Sequence, residues 1–304
     1  MKIKSNHFYR EGAWHHLFVK SQNGNVLFYR PDDYLFLYIL FSVLVRRYCL
    51  QVESFCILFN HFHACLKSPS DTAFYSFCRD LSSLFTIGFN REYDVRGKLM
   101  MKCGFAPKTS GKAHRSCLIY IANNPVAGKL VSNAIEYKWN LLAYFKTRYP
   151  FSEQLVKRDA RFAMRQSLSF IDGCYHRNQY LNYTALKKVL ADLNRKEKLQ
   201  MIDYIVNTYF FLDKQSFVNH FDSFETALIA IDSSAGSEQD IFEPWEDYSI
   251  YLSMLRKTLG SGLDYKGFRF HKMSYAELCT LRSRLLRISG TTSMHVARFL
   301  HMSE

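Results

Sequence analysis

No two of the chain's eight cysteines are separated by only two residues, and most stand inside apolar runs (Cys49, Cys56, Cys65, Cys78, Cys103, Cys117, Cys174 and Cys279). That spacing argues against a zinc ribbon and for reduced, buried thiols in a cytosolic protein. Long hydrophobic runs are lacking too. The most apolar stretch, YLFLYILFSVLV at 34–45, has 12 residues, too few to span a bilayer, and reads as a buried helix. The opening MKIKSNHFYREG has no apolar core of a signal peptide, so a soluble, intracellular protein is expected. Low-complexity tracts are absent, and 48% hydrophobic with 22% charged residues over 304 positions is a globular balance with room for two domains. Acid is scarce where it matters. Residues 1–150 carry 20 Lys/Arg against 9 Asp/Glu, whereas 151–304 carry 20 against 18. Within the second half, 201–250 has 1 basic and 10 acidic residues and 251–304 has 9 basic and 3 acidic. Basic surface gathered in one domain suits a polyanion, and equally a generically solvated face.

The first half alternates two periodicities. Residues 13–20 (AWHHLFVK) read as a strand, followed by turn chemistry in SQNGN. Pro31-Asp32-Asp33 opens a helix that ends near Arg46-Arg47, charges that suit the helix dipole at each end. Strands are expected at 50–58 and 61–67, joined tightly through Phe59-Asn60, then a helix over 72–92 after SPSD. A fourth strand is expected at 96–103, a loop at 104–111, and a helix at 112–123 stopped by Pro125. The order β-α-β-β-α-β-α is the split βαβ plan of a ferredoxin-like α+β domain, an antiparallel sheet with helices on one side. The remainder reads as all-α, with period near 3.6 through 151–221. The expected division is 1–150, a helical region at 151–236 and a third part at 237–304. That third part opens on an acidic stretch, EQDIFEPWEDY, read as a solvated loop or cap after an SSAGS linker. It ends on two helical segments, YAELCTLRSRLLRI and SMHVARFLHM, around SGTT. They form a helix-turn-helix candidate or a plain hairpin, with Arg282, Arg284, Arg287 and Arg298 to meet phosphates.

The stretch CILFNHFHACLK places His61 and His63 two apart on one strand, so both imidazoles project from the same face. Two neutral imidazoles make half of a metal coordination sphere. They also suit an ordinary half-buried strand. In IYIANNPVAGKLV a continuing helix would stack Tyr120 and Asn124, four apart. Asn124 offers an amide oxygen to a metal, and Tyr120 offers a phenol, a weak nucleophile because it titrates near ~10.

Asn60-His61-Phe62-His63 followed at a distance by Tyr120-Ile121-Ala122-Asn123-Asn124-Pro125-Val126 resembles the single-tyrosine HUH transposases, including insertion-sequence transposases and REP-associated tyrosine transposases. The resemblance covers roughly residues 8–145, with the WHHLFVKSQNGNVLF opening, the Arg96-Gly97 turn and the YKWN segment. It implies a ferredoxin-like domain in which His61, His63 and Asn124 hold Mg²⁺ or Mn²⁺ and Tyr120 is the nucleophile. It also implies single-stranded DNA, often beside a hairpin, as partner, a transient 5′-phosphotyrosine link, monomers or homodimers, and a cytoplasmic, nucleoid-associated setting. Leu58-Phe59, Ala64-Cys65 and the segment after Pro125 depart from the family's usual residues without removing a catalytic side chain. Lys102, Lys108, Lys112 and Arg115 are candidates for DNA backbone contacts. Two other classes stay open: an inactive relative that binds hairpin DNA without cutting it, and a metal nuclease that works through water.

Overall fold

The computed structural model describes residues 8–233, 246–259 and 273–302. The opening residues 1–7, the SSAGS linker after Ser233 and the acidic run up to Trp245 lie outside them. The first half runs β1 (Trp14–Lys20), α1 (Pro31–Arg47), β2 (Gln51–Ile57), β3 (His61–Lys67), α2 (Asp71–Tyr93), β4 (Gly104–Lys108) and α3 (Gly111–Ala127). The strands pair antiparallel in the order β2-β3-β1-β4, the ferredoxin-like arrangement. Helices follow: α4 (Phe162–His176), α5 (Tyr183–Ala191), α6 (Arg195–Thr208), α7 (Lys214–Val218), α8 (Phe224–Asp232), α9 (Ser249–Leu259), α10 (Tyr275–Leu285) and α11 (Ser293–Leu300). Among them no helix is long and apolar enough to cross a membrane.

Helices cover both faces of the sheet, not one. Phe55 and Phe62 point to one side, where Phe41 of α1 meets them at ring centroids of 4.5 and 6.0 Å. On the other side α3 packs across β2, β3 and β4. The alternation of β3 explains this: Phe62, Ala64 and Leu66 face α1 and α2, while His61, His63 and Cys65 face α3. α1 is buried on nearly its whole circumference because α2, α5, α6 and β2 all pack on it. That is why its sequence is apolar without a polar face. α1 and α2 approach closely at Gly88, where a Cβ would come within 2.4 Å of the Phe36 ring.

Two element boundaries differ from the sequence expectation. The fourth strand is GFAPK at 104–108, not 96–103. Pairing decides it: residues 104–108 run antiparallel to residues 14–18, and Phe105 packs on Phe74, Tyr75 and His15. Residues 99–101 meet the end of β1 through an isolated Ser21–Met100 bridge, a Met101 N–H bond to the Lys20 carbonyl and a Gln22 N–H bond to the Leu99 carbonyl. Pro107 is tolerated since β4 is an edge strand. Pro125 lies inside α3 rather than ending it. Its missing N–H costs one helical bond. Beside that gap Asn140 Nδ2 donates to the Ala122 carbonyl at 2.8 Å, and Gly128 N–H still reaches the Asn124 carbonyl at 2.8 Å. The outer edge of β2 is covered by later chain, with Ile57 N–H bonded to the Trp139 carbonyl at 3.0 Å and Asp213 N–H to the Val52 carbonyl at 2.7 Å. The YKWN segment thus closes the sheet edge.

His15 points to the α2 side, stacked on Tyr9 at 5.0 Å, with its Nε2 accepting the Arg10 N–H at 3.0 Å. Burial pushes its imidazole down to about 4. The unfolded chain protonates this histidine below ~6.5, but the folded chain resists until about 4, so stability falls as pH drops through that window. Urea unfolding of His15→Phe, compared with the parent near neutral pH and at about pH 5, is expected to show a smaller acid loss in the variant.

Candidate active site on the histidine face of the sheet

The turn between β2 and β3 is fastened before the histidines begin. Leu58 N–H bonds to the His61 carbonyl at 2.8 Å, Ser21 N–H to the Asn60 carbonyl at 2.8 Å, and Leu27 N–H to the Phe59 carbonyl at 2.9 Å. The Asn60 amide is oriented by donating from Nδ2 to the Gly24 carbonyl at 3.2 Å, so its Oδ1 faces His61 Nδ1 at 2.7 Å. An amide oxygen only accepts, so the Nδ1 of His61 carries the proton and Nε2 is its ligand-type nitrogen.

His63 stands opposite Phe18 of β1, two pairs along from His16 opposite Cys65 and so on the same face. His16 Nε2 and His63 Nδ1 share a hydrogen bond of 2.9 Å. Both histidines hold their rings by the Nδ1 edge or by a neighbouring imidazole, the kind of outer support that fixes a metal-binding ring. On α3, capped by Ser110, the Tyr120 ring packs edge-on against His63 at 5.5 Å and His16 at 5.6 Å. Tyr120 is 7% exposed, at the sheet side of the helix. Asn124 donates from Nδ2 to the Tyr120 carbonyl at 3.0 Å, leaving its Oδ1 as the atom of ligand type. Two imidazole nitrogens and an amide oxygen are donors of the kind a divalent cation takes. Tyr120 meets His16 and His63 of its own chain.

The far end of the chain closes over His61. Tyr248 Oη lies 3.4 Å from His61 Nδ1, and Glu246 accepts from Asn60 Nδ2 at 3.3 Å and from Arg298 at 2.8 Å. Lys129 pairs with Asp247 at 2.7 Å, and Tyr248 N–H bonds to the Gly128 carbonyl at 3.1 Å. Beside this roof is a cavity of ≈ 660 Å³ lined by Lys20, Asn60, His61, Tyr248, His295 and Arg298, among others.

The cationic candidates divide. Lys102, Lys112 and Arg115 are exposed, and the Arg115 guanidinium also lies 5.0 Å over the Phe221 ring. Lys108 is 5% exposed within β4. Arg284 and Arg287 are exposed and Arg282 is half-buried, whereas Arg298 is engaged by Glu246. The tail helices α10 and α11 pack together, and α11 also packs on α9. α11 is docked on the domain: Tyr29 Oη donates to the Phe299 carbonyl at 2.7 Å, and His301 Nε2 meets the Val26 carbonyl at 2.6 Å.

Sequence reasoning missed four participants. His16 was signalled by the same period-two alternation that pairs His61 with His63, since HH in a strand puts one ring on each face. Asn60 belongs to the motif but had no role. Glu246 and Tyr248 come from the acidic stretch read as a solvated loop, and nothing local marks where such a segment docks.

No family model and no curated protein matches the chain. Among solved structures, a REP-associated tyrosine transposase bound to a REP hairpin matches with 17% identity and a TM-score of 0.39, over 44% of this chain and 79% of that one.

Gly128 tests how closely the roof is fitted. A Cβ there would stand 2.4 Å from the Tyr248 ring. Gly128→Ala is expected to cost about 1–3 kcal/mol by overpacking, measured by urea unfolding, with an unchanged midpoint contradicting a tight seat for Tyr248.

Proposed function

We propose that the chain is a metal-dependent DNA strand transferase that cleaves and rejoins single-stranded or hairpin-bearing DNA through Tyr120. The observation that carries this reading is the packing of Tyr120 against His63 and His16, with Asn124 one helical turn on and His61 held by Asn60. His61, His63 and Asn124 would hold the cation, and a bound Mg²⁺ or Mn²⁺ would polarise the scissile phosphate and offset its developing charge. Tyr120 Oη attacks phosphorus, the bond to the 3′-oxygen breaks, and the 5′-phosphate remains on the phenol. The proton lost by the phenol is balanced by the one gained at the 3′-hydroxyl. Because the bond energy stays in the phosphotyrosine, the same hydroxyl or another can reverse the step.

We assign backbone contacts to Lys102, Lys112 and Arg115, which flank the tyrosine helix, and to Arg282, Arg284 and Arg287 on the tail. A second reading, binding without cleavage, draws on the roof formed by Glu246 and Tyr248 over His61.

Labelled hairpin-bearing single-stranded DNA incubated with Mn²⁺ and resolved on denaturing gels separates the readings. A covalent adduct is expected, absent in Tyr120→Phe, and reduced about 100-fold or more in His61→Ala or His63→Ala. Binding without cleavage supports the second reading. Cleavage that survives Tyr120→Phe supports hydrolysis through water and ends the strand-transfer proposal.

A further inference from the structure

A second cluster lies on the same face of the sheet. Val52 pairs with Leu66 and Ser54 with Cys65, so Glu53 is the extra residue of a β-bulge in β2. The bulge turns the Glu53 carboxylate under α3, where it is fully buried. Cys65 of β3 and His114 of α3 join it, and one ligand atom from each of the three lies within 4.8 Å of the others. His220, just past α7, brings Nε2 to 3.3 Å from Glu53 Oε1, and its ring centroid is 4.2 Å from that of His114.

We propose that Glu53, Cys65, His114 and His220 form a structural site for a divalent transition metal of the zinc class. Thiolate, imidazole and carboxylate are the ligand types such an ion takes. Bonds of about 2.0–2.3 Å set tetrahedral ligands roughly 3.3–3.8 Å apart, and the ligand atoms of Glu53, Cys65 and His114 already lie within 4.8 Å of one another. Glu53 Oε2 and His114 Nε2 stand 2.5 Å apart as a buried ion pair, and neither atom has another hydrogen-bond partner among the described residues. Glu53 Oε1 is held by the Ser216 hydroxyl and the His114 ring packs on Trp14 at 5.2 Å, which orients both groups from outside. His220 hydrogen-bonds Glu53 Oε1 at 3.3 Å outside the group formed by Glu53, Cys65 and His114; turned inward on metal binding it would supply the fourth protein ligand of a closed, structural shell. Entry is from the His220 side, the one partly exposed member, at 23% of its side chain. Binding displaces the Cys65 proton to solvent and takes both imidazoles neutral.

The site sits where it would matter. Cys65 follows His63 by two residues on β3, and His114 precedes Tyr120 by six on α3. An ion there clamps the tyrosine helix to the sheet and anchors α7 of the helical region to both.

The full chain, stripped of metal and titrated with Co²⁺, tests this. One equivalent is expected to give a thiolate-to-cobalt charge-transfer band in the near ultraviolet. The band should vanish in Cys65→Ser, persist in the His61→Ala/His63→Ala double variant, and require about tenfold more Co²⁺ in His220→Ala. Absence of the band in the parent, or its survival in Cys65→Ser, overturns the proposal. If Cys65→Ser does not fold, unchanged Co²⁺ affinity in His220→Ala overturns it instead. The band reports on Cys65 whether or not the protein cleaves DNA, so this site and the strand-transfer reading fail separately.

Discussion

The contact between α3 and the histidine face of β1 and β3 governs the rest of the structure. Antiparallel register brings His16 beside His63, and the edge-on Tyr120 ring rests on both. Because side chains alternate along β3, a slip of one residue would turn His61 and His63 into the Phe41 side and Phe62 out under α3. The hydrophobic packing of Phe55 and Phe62 on α1 therefore also fixes which way the histidines point. Core and site share one register.

That contact also accounts for how later segments attach. Asn140 bonds the Ala122 carbonyl near the proline in α3, and residues 139 and 213 close the β2 edge. At the other end Asn60 links His61 to Glu246, and Glu246 links onward to Arg298 of α11. The tail is tied to the histidine strand through polar groups, with Tyr29 and Val26 supplying further bonds. Arg298 serves this attachment, while Arg284 and Arg287 remain on the surface.

Much of the fold was legible because its signals are local. The order of elements, the bounds of β3 and the buried character of α1 follow from periodicity and end charges. The misread strand shows the limit: LMM at 99–101 looks more strand-like than GFAPK, but Phe105 has Phe74 and His15 to pack against. Pro125 reads as a helix stop until the side chain of Asn140, 18 residues from its acceptor Ala122, is in place. Spacing puts His61 with His63, and Tyr120 with Asn124, on shared faces, and it is the resemblance to the single-tyrosine transposases that joins the two pairs. Tyr248, 187 residues from His61, and His220, 167 from Glu53, could not be named from spacing, because docking across such separations leaves no periodic trace.

The central claim is that the Tyr120 phenol becomes the covalent carrier of DNA. Trypsin releases it on a peptide spanning 116–129, SCLIYIANNPVAGK, in which Tyr120 is the sole tyrosine. After reaction with hairpin-bearing single-stranded DNA and Mn²⁺, then nuclease trimming, mass spectrometry of that peptide should find it carrying a 5′-phosphonucleotide. An unmodified 116–129 peptide in a reaction that has cleaved the DNA, or the nucleotide on the Tyr248 peptide, would contradict the account.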